Sequence, residues 1–189
     1  MKKVVLIGAS GFVGSAILNE ALNRGFHVTA VVRHPEKIKI ENENLEVKRA
    51  DVSSLDEVCK VCKGADAVIS AFNPGWNNPD IYKETIEVYL TIIDGVKKAG
   101  VNRFLMVGGA GSLFIAPGIR LVDSGEVPEK ILPVANGKAS NLNTTKHFPM
   151  PGDVQSYISI SLKNTVRSVP YGETLLEYVQ ADIAWGKMR

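Results

Sequence analysis

The chain has 189 residues, of which 45% are hydrophobic and 22% charged, and its formal net charge is +2. That length suits one domain with a sizeable core. The near-balanced charge argues for neither nucleic acid nor a membrane surface as partner, and no apolar run reaches the roughly 18 residues that span a bilayer. The opening apolar run Val4-Val5-Leu6-Ile7 stops at Gly8, too early for the core of a secretory signal. The expected compartment is therefore the cytoplasm.

Residues 2–7 are a short β-branched run without polar interruption after Lys3, the pattern of a parallel strand covered on both faces. Glycines then break it. Phe12, Val13, Ala16, Ile17, Ala21 and Leu22 recur at helical spacing, and Gly25 is placed to take a left-handed cap. Residues 27–32 and 45–49 read as the second and third strands. Ser53 or Ser54 is the expected N-cap of a short helix that carries Cys59 and Cys62 and stops at Gly64. Those two are the only cysteines. No second Cys or His pair follows at zinc-like spacing, so both are expected to be small helix residues rather than a redox or metal pair.

Residues 67–71 read as a fourth strand, and residues 73–79 as a loop, from their Asn, Pro and Gly. Residues 82–99 form the longest helical pattern, with Tyr82, Ile86, Tyr89, Ile93 and Val96 on one stripe and Gly100 as its stop. Residues 103–107 are a fifth strand. Strands alternating with crossover helices make this an α/β fold with a right-handed, parallel sheet. The expected strand order is 3-2-1-4-5, a Rossmann-type arrangement flanked by helices, with ligands at the switch point between strands 1 and 4. The expected division is a dinucleotide-binding domain over residues 1–132 and an irregular tail over residues 133–189. In the tail only residues 157–162 alternate as a strand would, and residues 172–184 read as a weak helix.

The glycines of Gly8-Ala9-Ser10-Gly11-Phe12-Val13-Gly14 follow a strand directly and precede a helix directly. Gly8 permits the turn, Gly11 lets backbone approach a pyrophosphate, and Gly14 lets the helix pack on the strand. The helix N–H groups and dipole then favour the phosphates, with Ser10 as an added donor. No Gly-Lys-Ser/Thr closes the motif, which excludes a Walker-type loop.

The second strand ends Val31-Val32-Arg33-His34-Pro35 with no carboxylate. An acidic residue about 20 positions past the glycines would bind the ribose hydroxyls of NAD and repel the 2′-phosphate of NADP. Arg33 instead offers a two-point phosphate ligand, and His34 and Lys37 add positive potential. NADP(H) is therefore the expected cofactor, ahead of NAD(H). The plainer alternative is that Arg33 is a solvated strand-end charge. Asp51 is within sequence reach of the adenine edge; alternatively it is a helix-start carboxylate.

The glycine segment, together with Val32-Arg33, Arg49-Ala50-Asp51-Val52, Asp66-Ala67-Val68-Ile69-Ser70-Ala71 and Arg103-Phe104-Leu105-Met106-Val107-Gly108-Gly109-Ala110-Gly111-Ser112-Leu113, resembles atypical short-chain dehydrogenase/reductases. Within them it is most similar to an NAD(P)H-binding group described as NADH-flavin reductases, related to NmrA-like proteins and to biliverdin/flavin reductases. The resemblance covers about residues 1–132. It implies that Gly8, Gly11, Phe12 and Val13 hold the pyrophosphate and that Arg33 meets the 2′-phosphate. It also implies Asp51 and Val52 on the adenine, Ala71 and Phe72 along the cofactor ribose, Gly108 and Gly109 near the nicotinamide, and Ser112 polarising a substrate carbonyl. The partner it implies is a small-molecule electron acceptor such as a flavin.

Two departures from that family matter. None of the five tyrosines is followed four residues later by lysine, so the Tyr-x-x-x-Lys acid-base pair of alcohol dehydrogenases and sugar epimerases is missing. That leaves either hydride transfer to a flavin-like acceptor, in which the cofactor supplies the chemistry, or a non-catalytic NADP(H)-binding redox sensor of NmrA-like type. The second departure is the tail. Family members continue with further helices and strands and a Thr-Gly-Arg-Tyr-Arg-Leu-Gly-Lys stretch that residues 134–189 lack. Codons for Val179-Gln180-Ala181-Asp182-Ile183-Ala184-Trp185-Gly186-Lys187-Met188-Arg189, read from each third base, nevertheless permit Thr-Gly-Arg-Tyr-Arg-Leu-Gly-Lys-Asp-Glu. The expectation is that the chain past about Pro133 is translated out of frame, leaving a remnant that keeps the dinucleotide site and lacks the substrate half. The alternative is a divergent tail.

Overall fold

The computed structural model describes residues 2–75, 77–107, 114–116, 119–125, 127, 129, 132–133 and 157–158. The elements in chain order are β1 (Lys3–Ile7), α1 (Phe12–Asn23), β2 (His27–Val32), β3 (Leu45–Arg49), α2 (Leu55–Cys62), β4 (Ala67–Ser70), α3 (Ile81–Lys98) and β5 (Phe104–Val107). Short pieces follow: β6 (Phe114–Ala116) and β7 (Ile119–Arg120), which pair antiparallel, and β8 (Tyr157–Ile158). The main sheet runs β3-β2-β1-β4-β5-β8, all parallel. The expected order 3-2-1-4-5 is present, extended by β8, whose Tyr157 and Ile158 stand opposite Met106 and Val107.

The strands β1, β4 and β5 are apolar because both their faces are covered. Along β1, Val4 and Leu6 point into one core, with Ile17, Leu18, Ala21 and Leu22 of α1. Val5 and Ile7 point into the other, with Val58 and Cys62 of α2 and Tyr89, Ile92, Ile93 and Val96 of α3. A strand's period of two is what divides one apolar run between two cores. Each helix ends at a glycine of positive φ, Gly25, Gly64 or Gly100, as the sequence predicts. Ser54 caps α2, its hydroxyl accepting from the Glu57 N–H at 3.4 Å.

The buried face of α3 is phased differently from the predicted stripe. Ile81, Thr85, Val88, Tyr89, Ile92, Ile93 and Val96 are buried, whereas Tyr82 is 44% exposed and Ile86 only half-buried. The helix packs against α2 as well as the sheet, so the apolar arc is wider and centred one residue earlier. Thr85 is accommodated within it by donating its hydroxyl to the Ile81 carbonyl at 2.5 Å. Among the described residues no helix is long and apolar enough to cross a membrane.

Candidate functional site

At the carboxyl end of β1, where the strand order reverses between β1 and β4, an open cleft of about 650 Å³ including the solvent at its mouth is lined by three groups of residues. Gly8, Ser10 and Gly11 form its floor at the β1–α1 turn. Val31, Val32, Arg33, His34 and Lys37 with Ala50 and Val52 form the β2–β3 side, and Ala71, Phe72 and Asn73 the β4 side. Clefts at such switch points are where open α/β sheets bind nucleotides.

The three glycines have different local reasons. Gly8 has φ of +80°, and a Cβ there would lie 2.9 Å from the Ala71 carbonyl oxygen. The turn therefore needs glycine twice over, for handedness and for space. At Gly14 a Cβ would lie 2.0 Å from the Gly8 carbonyl oxygen, so α1 sits on the loop only without one. At Gly11 the nearest atom to a Cβ is Gly8 O, at 3.4 Å, an ordinary contact. Among the described residues nothing demands glycine there, yet Gly11 lines the cleft. Gly11 is also the N-cap of α1, with no side-chain cap and no acidic residue in the first turn. The first N–H groups of a helix lack intrahelical acceptors, so this terminus is suited to an anion.

The β2–β3 side supplies the positive charge. Arg33, His34 and Lys37 are exposed at the cleft rim. Among the described residues neither Arg33 nor Lys37 forms an ion pair, while His34 Nδ1 meets Glu36 Oε1 at 3.1 Å. No carboxylate lies among the lining residues. Asp51 is exposed and turned onto its own loop, Oδ1 accepting from the Ser53 N–H at 2.9 Å and the Ser53 hydroxyl at 2.7 Å. These bonds, with a weaker contribution from Arg33, hold its carboxyl below the usual range. At this point Ala50 and Val52 line the cleft and the Asp51 side chain does not.

A protein-family model described as NAD(P)H-binding matches residues 8–136. The chain belongs to this NAD(P)H-binding family. Its solved relatives include an epimerase candidate from Bacteroides thetaiotaomicron, 80% identical with a TM-score of 0.70 over 75% of this chain and 63% of that one. They also include a candidate NADH-flavin reductase from Streptococcus pneumoniae, 34% identical with a TM-score of 0.60 over 78% of this chain and 68% of that one. The Bacillus subtilis protein YwnB is 37% identical over 142 residues, which are 74% of this chain and 63% of YwnB. The chain thus spans 63% to 68% of these relatives' length.

In this family member the structure brings Gly8, Ser10, Gly11, Arg33, Val52, Ala71 and Phe72 to one cleft. Four predicted residues do not line it. Val13 packs on the α1 core, Gly14 is buried under the loop, Asp51 faces Ser53, and the Phe12 ring is 77% exposed. Phe12, Val13 and Gly14 still compose the first turn of α1, so what they present towards the cleft is backbone. Gly108, Gly109 and Ser112 lie outside the described residues. Ile7, Val31, Ala50 and Asn73 line the cleft without having been singled out from sequence. Ile7 and Val31 read only as strand apolar residues and Ala50 as the residue that follows a strand; Asn73, just past β4, carries a turn signal that conceals it.

Of the two helix cysteines expected to be small buried residues, Cys62 is buried and Cys59 half-buried. Cys62 is fully buried, and desolvation, with Cys59 adding to it, pushes its thiol up to about 12. Such a thiol is protonated at neutral pH and a poor nucleophile.

Proposed function

We propose that this chain binds NADP(H) and carries the cofactor half of an oxidoreductase of flavin-reductase type. The observation that carries the reading is the cleft lining: a glycine floor at an uncapped helix start, three basic side chains at one end and no carboxylate. The floor and helix start fit a pyrophosphate, and Arg33 and Lys37 fit a 2′-phosphate. The name of the Streptococcus pneumoniae relative supports a flavin as acceptor. The bound dinucleotide would supply the hydride. The chain's own residues do the rest: Gly8 and Gly11 admit the phosphates, Arg33 fixes the adenosine end, and Phe72 and Asn73 bound the opposite end.

The name of the Bacteroides relative raises epimerisation. This sequence has no Tyr-x-x-x-Lys pair to act as acid and base, which favours the reductase. The same missing pair favours a second reading, a cofactor-sensing regulator without turnover. NADPH oxidation with added flavin, alongside calorimetry, separates the two. Turnover supports the reductase, tight binding without turnover supports the sensor, and no binding of NADPH overturns both.

A further inference from the structure

The wall of the cleft on the β4 side is built from two successive peptides, Ala71–Phe72 and Phe72–Asn73, held from behind. Ala71 N–H donates to the Ile7 carbonyl at 2.9 Å, carrying the β1–β4 pairing one step past Ser70. The next peptide, between Ala71 and Phe72, lies against the Cα of Gly8: a Cβ there would be 2.9 Å from Ala71 O and 3.2 Å from Phe72 N. Behind that wall stands Tyr89 of α3, wholly buried. Its hydroxyl donates to the Phe72 carbonyl at 3.0 Å, and its ring meets the Phe72 ring edge-on, with centroids 5.7 Å apart. Ser70, also wholly buried, accepts from the Phe72 N–H at 3.4 Å. Phe72 therefore has both its peptide groups held by buried side chains, Tyr89 at the closer distance.

We infer that Tyr89, with Ser70, is a positioning residue for the nicotinamide half of the bound cofactor. The inference rests on the NADP(H) reading above. A dinucleotide across a switch point places its two nucleosides on opposite sides of the phosphate floor. Arg33, His34 and Lys37 mark the β2–β3 side for the adenosine 2′-phosphate, so the β4 side, built on Ala71, Phe72 and Asn73, receives the other half. Tyr89 touches no ligand in this arrangement. It sets the depth of the wall by holding the Phe72 carbonyl, and removing the hydroxyl takes a donor away from that buried group and lets the wall shift.

The geometry makes the effect one-sided, and two ligands read that side. Adenosine 2′,5′-bisphosphate contains only the half beside Arg33, whereas NADPH contains both. Tyr89→Phe in the full chain is expected to weaken NADPH binding about tenfold by calorimetry and to change adenosine 2′,5′-bisphosphate by less than about twofold. Ser70→Ala is expected to show the same selectivity with smaller amplitude, and it answers the question should Tyr89→Phe fail to fold. Equal weakening of both ligands, or a lowered Tm with NADPH affinity unchanged, would overturn the inference and leave Tyr89 a packing residue. An unmutated chain that binds neither ligand would instead remove the NADP(H) reading, and this inference with it.

Discussion

The Cα of Gly14 faces the carbonyl of Gly8 so closely that a methyl there would stand 2.0 Å from its oxygen. Gly11, three residues earlier, has no comparable neighbour. The two glycines therefore predict opposite phenotypes. Gly14→Ala forces backbone apart and is expected to destabilise the fold by about 3 kcal/mol, read by urea denaturation. Gly11→Val puts its side chain at the cleft floor. It is expected to leave Tm within a few degrees and abolish NADPH binding by calorimetry; unchanged affinity would show that phosphate does not approach this turn.

On the proposed reading, Arg33 decides between the two dinucleotides. Arg33→Asp replaces a forked phosphate ligand by a carboxylate suited to ribose hydroxyls. NADPH affinity is expected to fall on the order of 10- to 100-fold while NADH affinity rises, so the ratio of the two Kd values reverses. An unaltered ratio would make Arg33 a bystander. Lys37→Ala is expected to move the ratio in the same direction, by less.

Asp51 gives a pH signature. Its folded pKa is depressed by the Ser53 hydroxyl, then the Ser53 N–H, with Arg33 a smaller cause. The ionised carboxylate is thus favoured by the fold, and its stabilising contribution is complete above the unfolded value of about 3.9. It is lost as pH falls through the lower folded value. Asp51 is exposed, so solvent screening keeps the effect small. Thermal unfolding is expected to show a modest deficit for Asp51→Asn at pH 7 that closes towards pH 3. A deficit constant across that range would show that the Ser53 bonds do not depend on the charge.

Much of this site was legible in the sequence because its signals are local. A glycine triplet between a β-branched run and a helical stripe has few structural meanings, and Arg33 follows from the end of the next strand. What escaped is non-local or a matter of phase. Tyr89 is 17 residues from Phe72, and nothing near either marks their hydrogen bond; Tyr89 reads from sequence as one more apolar position on α3. The phase of α3 was misplaced because its face is shared between sheet and α2. Asp51, which the sequence allows either at the adenine edge or as a helix-start carboxylate, closes on the Ser53 N–H and hydroxyl, as short polar side chains do at turns.

Where α2 crosses α3, Gly95 leaves space that Val58 fills. A Cβ on Gly95 would lie 2.5 Å from Val58 Cγ1 and 2.7 Å from its Cβ, and a β-branched side chain on a helix has little rotamer freedom to retreat. Gly95→Ala is expected to destabilise by about 1–3 kcal/mol. Combining it with Val58→Ala should cost less than the sum of the single changes, since each relieves the other. Strict additivity in urea denaturation would show that the helices separate freely.

The last prediction concerns the residues past Pro133. The family model ends at residue 136, and the 80% identity to the Bacteroides relative extends over 75% of the chain. We propose that the reading frame changes near Pro133, because the codons for residues 179–189, read one position out of register, permit the family stretch the encoded tail lacks. Trp185 followed by Gly186 makes this strict: it forces a glycine codon at one place in the shifted frame, where the family stretch has glycine. The gene's nucleotide sequence is expected to spell Thr-Gly-Arg-Tyr-Arg-Leu-Gly-Lys in that frame. Joining the frames near the codon for Pro133 should then yield a longer protein that oxidises NADPH with flavin faster than the 189-residue chain. A shifted frame that spells anything else would make the tail a native divergence, and the substrate wall would have to come from its own residues.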